Sequence, residues 1–468
     1  MRVTEIAVKG LFGIFNHRIP LVHSDRVTII HGPNGLGKTM MLKMIAALID
    51  GRTAIFERVP FEQFVVHLDD NTKVVVRHLD IDSSEEKRRQ RIYVSKFDAL
   101  GNELFSSRDK IPTDVPSRVL DRVDQRVPPP FSRSGNGWKD DNTRKFYSLD
   151  EIIELFPATA GLLPKEHRTH GFSHLFEGLE VFFVETTRLN AERAGEPRSP
   201  PPYLGSRIHH EAVWDMDDDA PMANRYGLRV DQYSRDIVRR IESGLADYAK
   251  HSQESDRTFP ERLVRFVRAG DSVLSERKIL DQMNELENKR QRLISLGFLD
   301  SESGLRDLTD EDVQRVQEAL TIYVGDVQKK LSAFDDLSQR VGKLIDIVNE
   351  RFRYKTLTLN RDQGFRLRTT SGEKIELEDL SSGEQHELVV LYELLFRAPR
   401  NGLVLVDEPE ISLHVGWQSS FLSDLMAILQ LTGSYGIVAT HSPVIIGSRW
   451  DLTQELKGPE EQQSEGSE

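Results

Sequence analysis

The sequence predicts an α/β fold whose core is assembled from the two ends of the chain, with a mostly helical segment inserted between them. Three observations carry this prediction. A β-branched run, a glycine-rich turn and an apolar helical pattern follow one another within residues 26–51. Apolar residues recur at helical spacing over about 225–350, and strand patterns return after Arg351.

Length and composition place the chain among ordinary globular proteins. Its 468 residues suggest roughly three compact units or one large domain with insertions. No apolar stretch approaches the ~20 residues that a membrane-spanning helix needs, and the N-terminus lacks a signal peptide's apolar core. We therefore expect neither a membrane-spanning nor a secreted protein.

Cysteine content and charge exclude further classes of function. The chain has no cysteine, which excludes disulfides, thiolate zinc sites and a cysteine nucleophile and fits a reducing cytoplasm. The formal net charge is −13, so contact with nucleic acid would need a local basic patch.

The N-terminal part of the chain predicts five features. They are strands at 26–31 and 181–184, a helix at 40–49, a hairpin at 61–80, and a long surface loop at 106–146 where prolines, serines and glycines cluster.

The middle of the chain contains two segments with coiled-coil spacing, at about 272–296 and 313–348. Thr309 and Asp312 between them form a predicted capping box. The simplest arrangement is a short antiparallel helical hairpin, with a first helix of ~37 Å at 1.5 Å per residue. Helices that merely pack on the main body fit the same periodicity equally well.

The C-terminal part predicts a strand hairpin around 362–364, strands at 403–406 and 436–439, and a helix at 417–431. We therefore predict an N-terminal lobe of the core (1–190), a helical insertion (191–350), a C-terminal lobe (351–456) and a disordered acidic tail (457–468).

Residues 32–39 match the phosphate-binding pattern G-x-x-x-x-G-K-[ST], after a strand and before a helix. In such a loop, backbone amides and a helix N-terminus face phosphate oxygens, the lysine reaches the β and γ phosphates, and the final hydroxyl ligates Mg²⁺. A glycine-rich turn with an accidental lysine is disfavoured by the strand and helix on either side. The predicted nucleotide-binding residues here are Gly32, Pro33, Asn34, Gly35, Gly37, Lys38 and Thr39.

Asp407 and Glu408 follow the apolar run 403–406. Parallel sheets present ligands at such strand ends. Asp407, with Thr39, is predicted to hold Mg²⁺, and Glu408 to act as a general base or a polarising group on a water that faces the γ-phosphate. An apolar strand that ends in two acids is by itself more often a solvated strand end. Together with the phosphate loop, however, the pair indicates nucleotide hydrolysis.

Two further elements carry weaker signals. Residues 380–385 (LSSGEQ) form a serine and glycine turn before an apolar helix, which is typical of an N-capped helix. His441 follows the predicted strand at 436–439, and a lone histidine is usually structural.

In this order and with these gaps, the elements resemble the ABC-type ATPases of the SMC and Rad50 branch, with their P-loop ATPase head. The match covers the Walker A loop at 32–39, the signature at 380–385, Walker B at 403–408, the D-loop at 409–414 and the switch histidine at 441. These motifs lie at the two ends of the chain, within about 1–80 and 350–448.

The resemblance implies a shared site for ATP and Mg²⁺. In such proteins the Walker motifs of one subunit are closed over by the signature of another, here Ser382, Gly383 and Glu384. This implies a head-to-tail homodimer or a larger homo-oligomer. His441 would then sense the γ-phosphate. The family's Q-loop glutamine is missing from the matching stretch 184–188, where Glu185 or Thr187 is a possible substitute.

The cellular role is predicted by analogy. The chain has neither the length nor the cysteines of Rad50 with its zinc hook, and only 27 residues follow His441, too few for a Toprim domain. It resembles stand-alone anti-phage ATPases of the Septu and PARIS type, which control a separately encoded effector, a nuclease or toxin. The alternatives are a DNA-binding clamp, with basic patches at 87–91 and 287–292, and a scaffold that binds ATP without turnover, which Glu408 argues against.

Overall fold

The computed structural model describes residues 1–79, 91–107, 117–135, 137–141, 144, 146–149, 152, 156, 172–185, 222–270, 272–300, 310–411, 413 and 415–459. The chain forms two units, each described here by itself. The first consists of Met1–Asp215 and Ala398–Glu468, and the second of Met216–Arg397. The predicted four-part division, with boundaries at 190, 350 and 456, stays a prediction.

The β-strands, in chain order, are β1 (Val3–Leu11), β2 (Phe15–Pro20), β3 (Val27–His31), β4 (Gln63–Leu68), β5 (Lys73–Leu79), β6 (Arg91–Phe97), β7 (Glu103–Ser106), β8 (Phe131–Ser134), β9 (Gly137–Asp140), β10 (Phe146–Ser148), β11 (Val181–Glu185), β12 (Lys355–Asn360), β13 (Gly364–Thr369), β14 (Lys374–Ile375), β15 (Leu403–Asp407), β16 (Tyr435–Ala439) and β17 (Thr453–Glu455).

The α-helices, in chain order, are α1 (Lys38–Asp50), α2 (Ala54–Arg58), α3 (Ser117–Asp124), α4 (Met222–Ala269), α5 (Glu276–Ser295), α6 (Asp310–Arg315), α7 (Gln317–Ser332), α8 (Asp335–Arg351), α9 (Ser382–Tyr392), α10 (Val415–Thr432) and α11 (Pro443–Ile446).

A parallel sheet joins strands from both ends of the chain in the order β11-β15-β16-β3-β17. Its central strands are apolar runs that are buried on both faces, as parallel strands require. The predicted strands at 26–31, 181–184, 403–406 and 436–439 are confirmed within this sheet. The α/β fold class, with a core assembled from both ends of the chain, is therefore confirmed.

An antiparallel sheet in the order β2-β1-β4-β5-β6-β7 belongs to the same unit and contains the predicted hairpin at 61–80 as β4 and β5. The helix predicted at 40–49 is α1, whose residues Met41 and Ile45 share a buried cluster with Ile6, Phe64 and Leu405 from the two sheets. Burial of each large apolar side chain contributes about 1.5–3 kcal/mol. The helix that follows the phosphate loop is therefore anchored by both sheets.

The prediction of a long loop at 106–146 is wrong. Helix α3 and the antiparallel sheet β10-β9-β8 lie there and share a core that includes Val123 and Trp138. The Trp138 indole Nε1 donates a hydrogen bond of 2.7 Å to Asp124. Strands of three or four residues give no clear period, and the prolines at 128–130 mark the turn between α3 and β8 rather than a long loop.

The second unit contains the predicted helical region. The helix predicted at 272–296 is confirmed as α5, which packs against α7, and the long helix α4 packs against α7 as well. Thr309 of the predicted capping box lies outside the described residues. The coiled-coil character of this region stays a prediction.

The segment at 313–348, for which the sequence predicts coiled-coil spacing, is helical but divides into α6, α7 and α8. Val316, between the first two, has φ −131° and ψ 30°. The second break places Phe334 in the core beside Gly244 of α4, where a Cβ atom would lie 2.8 Å from the phenylalanine ring. Tertiary packing has therefore overridden the helical period.

The second unit also holds a small antiparallel sheet, β12-β13-β14, and helix α9. The predicted hairpin around 362–364 is confirmed as β12 and β13.

Of the predicted acidic tail, 457–459 is described and the rest lies outside the described residues. Among the helices that the structure describes, none combines the length and the apolarity needed to span a bilayer.

Candidate nucleotide site

The phosphate loop lies where the sequence predicts, between the end of β3 and the start of α1. Gly32, Gly35 and Gly37 adopt φ of 148°, 90° and 87°, a region that favours glycine. At Gly37, a Cβ atom would lie 2.6 Å from the Leu11 side chain. The glycine pattern is therefore needed both for backbone conformation and for close packing.

Lys38 is buried at the start of α1. Its Nζ donates hydrogen bonds to the backbone oxygens of Gly32, at 2.6 Å, and Pro33, at 3.0 Å. Burial lowers the pKa of Lys38, an effect that the nearby carboxylates Glu408 and Asp407 partly oppose. The lysine is therefore held inside the loop, where a phosphate group would supply the negative charge that two neutral carbonyls do not.

His17 on β2 supports the same loop, although it belongs to no motif recognisable in the sequence. The side chain is buried, and its Nε2 lies 2.8 Å from the backbone oxygen of Leu36. Because a carbonyl oxygen only accepts, Nε2 carries the proton. Phe15 stacks on the imidazole at 5.7 Å between ring centroids. The antiparallel sheet thus fixes the far side of the phosphate loop.

Stability should depend on pH through His17. Burial lowers the pKa of His17 below its ordinary value of 6.5. Just below pH 6.5 the unfolded chain therefore binds more protons than the folded one, so this stabilisation is present above pH 6.5 and is lost as the pH falls. We expect His17→Gln, which keeps an N–H donor but does not titrate, to lose less stability than wild type between pH 7.5 and 5.5 in thermal unfolding.

The half-buried His23 has a pKa lowered mainly by burial and contributes with the same sign, so the variant should keep part of the pH dependence. An unchanged pH dependence in His17→Gln would show that the imidazole is not held neutral.

The predicted Mg²⁺ ligands are in contact. Thr39 Oγ1, in the first turn of α1, donates a hydrogen bond of 3.0 Å to Asp407 Oδ1 at the end of β15. The two residues are 368 positions apart in sequence. A hydroxyl and a carboxylate beside a phosphate loop fit Mg²⁺, which prefers oxygen ligands and binds few protein groups. Across the described residues no cluster of three or more histidine or acidic side chains forms a separate metal site.

Glu408 has an unusual backbone conformation, with φ 46°. Its backbone N–H donates a hydrogen bond of 2.8 Å to the carbonyl of Ala439, which ends β16. A left-handed residue other than glycine costs about 1–3 kcal/mol and is found preferentially at functional sites. The strained turn directs the chain away from the sheet immediately after Asp407.

His441 lies beside Glu408, as the predicted roles require. Its Nδ1 is 3.9 Å from Glu408 Oε1 and 3.0 Å from Glu410 Oε1. Glu410 was missed by sequence reasoning, although it lies within the PEISLH segment that follows Walker B. The end of the parallel sheet therefore brings together the phosphate loop, the predicted Mg²⁺ ligands, the predicted base and the predicted switch histidine.

The predicted signature lies in the second unit, and its N-capped helix is confirmed. The Ser381 side chain accepts a hydrogen bond from the Glu384 backbone N–H, and the Glu384 side chain accepts one from the Ser381 N–H, as in a capping box. Glu384 also accepts hydrogen bonds from Lys355 at 2.8 and 2.9 Å. Although burial acts to raise it, these hydrogen bonds from Lys355 and Ser381 lower the pKa of Glu384.

The Glu384 carboxylate is therefore engaged within its own unit. Ser382, by contrast, is exposed in the first turn of α9, and a Cβ atom at Gly383 would meet nothing within 4 Å.

Of the two residues proposed for the Q-loop position, the structure describes one. Glu185 ends β11 and pairs in register with Asp407, whereas Thr187 lies outside the described residues. Both Q-loop assignments stay predictions.

Comparisons with known proteins agree with a nucleotide-hydrolysing class. Residues 173–447, more than half of the chain, match the family described as "AAA domain, putative AbiEii toxin, Type IV TA system". Protein ea59 of Escherichia phage lambda is 39% identical over 67 residues, a segment that covers 14% of this chain and 13% of the phage protein. The matched segment is thus a small part of that relative.

Among solved structures, the SMC head domain from Thermotoga maritima matches with 12% identity and a TM-score of 0.35, over 98% of this chain and 95% of that one. The Smc head domain of Pyrococcus furiosus, with an extended coiled coil and bound to the C-terminal domain of ScpA, matches with 12% identity and a TM-score of 0.31, over 99% of this chain and 98% of that one.

The phosphate loop follows a strand of the parallel sheet and lies beside an acidic strand end, and with the family match this places the chain among the P-loop ATPases. The chain belongs to the AAA-domain family whose description names the putative AbiEii toxin.

Proposed function

We propose that the protein hydrolyses ATP to ADP and phosphate at a site shared between two copies of the chain. The observation that carries this proposal is the contact between Thr39 and Asp407, since it joins the phosphate loop to the strand end that bears Glu408. His441 lies at that same strand end. Binding and catalytic groups from distant parts of the sequence therefore converge at one edge of the sheet.

The residues have distinct roles in this mechanism. The backbone amides of the phosphate loop and Lys38 bind the β and γ phosphates, and Thr39 and Asp407 would hold Mg²⁺. When bound, Mg²⁺ neutralises negative charge on the phosphate oxygens. Glu408 orients the attacking water and takes its proton, while His441, whose Nδ1 lies 3.9 Å from Glu408 Oε1, would contact the γ-phosphate.

A second copy would complete the site. Ser382 and Gly383 lie at the N-terminus of α9, where free backbone amides and the helix dipole favour an anion. Ser382 is exposed, so a second subunit could apply this surface to a γ-phosphate. A head-to-tail dimer with two equivalent sites follows from two-fold symmetry, and larger assemblies could be built from it.

The cellular role that we propose is control of a separately encoded effector, a nuclease or toxin, in anti-phage defence. The family description names a toxin of a type IV toxin–antitoxin system, and one relative is a phage protein, which supports a role in conflict between phage and host. ATP-driven assembly would switch the effector on or off.

The alternative DNA clamp receives less support from the described residues. Within the basic patch at 287–292, Lys289 forms an ion pair with Asp335, and the Arg292 guanidinium lies against Gly342 of α8. Both side chains thus make contacts inside the second unit, which leaves them less available to bind DNA phosphates. Of the patch at 87–91, residues 87–90 lie outside the described part of the chain.

The direct test of the proposed reaction is phosphate release from ATP by the purified protein. We expect Lys38→Ala to remove turnover and to weaken ATP binding by about 100-fold, because two charge-assisted hydrogen bonds to phosphate are lost. Binding is measured by calorimetry with a non-hydrolysable ATP analogue. Lys9→Ala, at an exposed lysine of β1, serves as the matched control and should behave as wild type.

Hydrolysis that persists in Lys38→Ala at the wild-type rate would place the activity elsewhere.

The proposed partner is tested separately, by co-expression with the products of adjacent genes and co-purification with and without ATP. Failure of every neighbouring product to bind would count against the effector and would leave the ATPase assignment standing.

A further inference from the structure

Glu410 occupies a short 3₁₀ turn, Pro409–Ile411, directly after Glu408. Its side chain is only 8% exposed. A single oxygen, Oε1, accepts hydrogen bonds from Thr440 Oγ1 at 2.7 Å and from the His441 backbone N–H at 2.9 Å. The same oxygen lies 3.0 Å from His441 Nδ1. One carboxylate oxygen therefore holds both the backbone and the ring of His441.

The contact between Glu410 Oε1 and the His441 ring is not needed to hold the backbone of this turn. The two hydrogen bonds from Thr440 and the His441 N–H would be enough to attach the turn to the end of β16. The His441 side chain is 46% exposed, so packing does little to fix its orientation. Among the described side chains, Glu410 and Glu408 are the acids that approach the ring, and Glu410 is the closer by about 0.9 Å.

The second oxygen, Glu410 Oε2, is buried without a hydrogen-bond partner among the described residues. A buried acceptor without a partner costs about 1–3 kcal/mol. The Glu410 carboxylate thus lowers stability at a position beside the predicted switch histidine. Such a cost is typical of residues kept for function rather than for folding.

We propose that Glu410 is a positioning residue for catalysis, which holds Nδ1 of His441 and so leaves Nε2 as the ring atom that faces the γ-phosphate. The inference rests on the proposed function, because it acts through His441. An imidazole held at one nitrogen can rotate little, so its other nitrogen is aimed before nucleotide arrives. With Nδ1–H donating to Glu410, Nε2 can donate to a phosphate oxygen only in the imidazolium form of the ring. A ring that is aimed in advance costs no reorganisation during the reaction.

The test compares Glu410→Gln, His441→Ala and the double variant in the full-length protein. Glu410→Gln keeps a side-chain oxygen for Thr440 and the His441 N–H but loses the charge. We expect kcat to fall by about 10- to 100-fold, with KM and the affinity for a non-hydrolysable analogue changed less than threefold. In the His441→Ala background, Glu410→Gln should cause no further loss, since the two residues act as one unit.

A second readout needs no nucleotide. Histidine side-chain ¹⁵N signals of His441, assigned by their absence in His441→Ala, should change in Glu410→Gln because the Nδ1 contact is altered. Glu62→Gln, at an exposed glutamate, is the control and should change neither kcat nor these signals. If Glu410→Gln unfolds, Glu410→Asp, which keeps the charge with a shorter reach, replaces it and should give a smaller fall in kcat.

The outcomes separate this inference from the proposed function. Wild-type turnover in His441→Ala would remove the predicted role of the histidine itself. Slow turnover in His441→Ala with normal turnover in Glu410→Gln would overturn only the positioning role. The positioning role would also be overturned if the double variant lost the product of the two single-variant losses in kcat. Unchanged His441 signals in Glu410→Gln would overturn it as well.

Discussion

Glu408→Gln is expected to hydrolyse ATP about 1,000-fold more slowly than wild type while it binds ATP with unchanged affinity, because a general base contributes about 10²–10⁴-fold to such reactions. The variant removes the proton acceptor and leaves Lys38, Thr39 and Asp407 in place. Since ATP would hold two copies together and hydrolysis would release them, we also expect a long-lived dimer to accumulate.

Two measurements check this result. Single-turnover phosphate release gives the rate of the chemical step, and light scattering after size-exclusion chromatography gives the mass with ATP and with ADP. Glu373→Gln, at an exposed glutamate of the second unit, is the matched control and should remain like wild type. Turnover of Glu408→Gln at the wild-type rate would show that Glu408 is not the base.

Mixing two inactive variants should restore activity if the site is shared. Ser382→Trp places a bulky ring on an exposed turn and should leave ATP binding intact but block closure by the second copy. Lys38→Ala should bind ATP about 100-fold more weakly and should not hydrolyse it. In an equal mixture, half of the dimers pair one variant with the other, and each has one intact site. About a quarter of wild-type turnover should therefore return.

The controls distinguish a shared site from other causes of inactivity. Each variant alone should be inactive. Ser332→Trp, at an exposed serine that ends α7, should keep full activity. If mixtures stay inactive although mixed dimers are shown by differently tagged copies, each nucleotide is handled within one chain, and the composite site is wrong.

Much of the nucleotide site could be predicted from the sequence because its signals are local. A β-branched run, glycines at fixed offsets and a lysine before an apolar helix specify a strand, a loop and a helix over 27–50. The apolar run before Asp407 specifies a buried strand in the same way. The capping box at Ser381 and Glu384 is equally local, and the structure confirms it.

Other features could not be predicted, since they depend on residues far apart in sequence. The imidazole of His17 reaches the Leu36 carbonyl only because β2 lies beside the phosphate loop. Phe334 interrupts a helical period because it fits against Gly244 of α4. The short strands β8 to β10 gain stability from Trp138 and its neighbours rather than from local propensity.

By itself, the sequence determined the class of this protein: which segment matches the phosphate-loop pattern, which strand end bears the acids, and which strands and helices surround them. Periodicity and backbone conformation within a few residues suffice for that. Only the tertiary structure decided that Thr39 meets Asp407 and that Glu410 holds His441 beside Glu408. Strand order in the parallel sheet sets those distances, and strand order depends on packing across the whole unit.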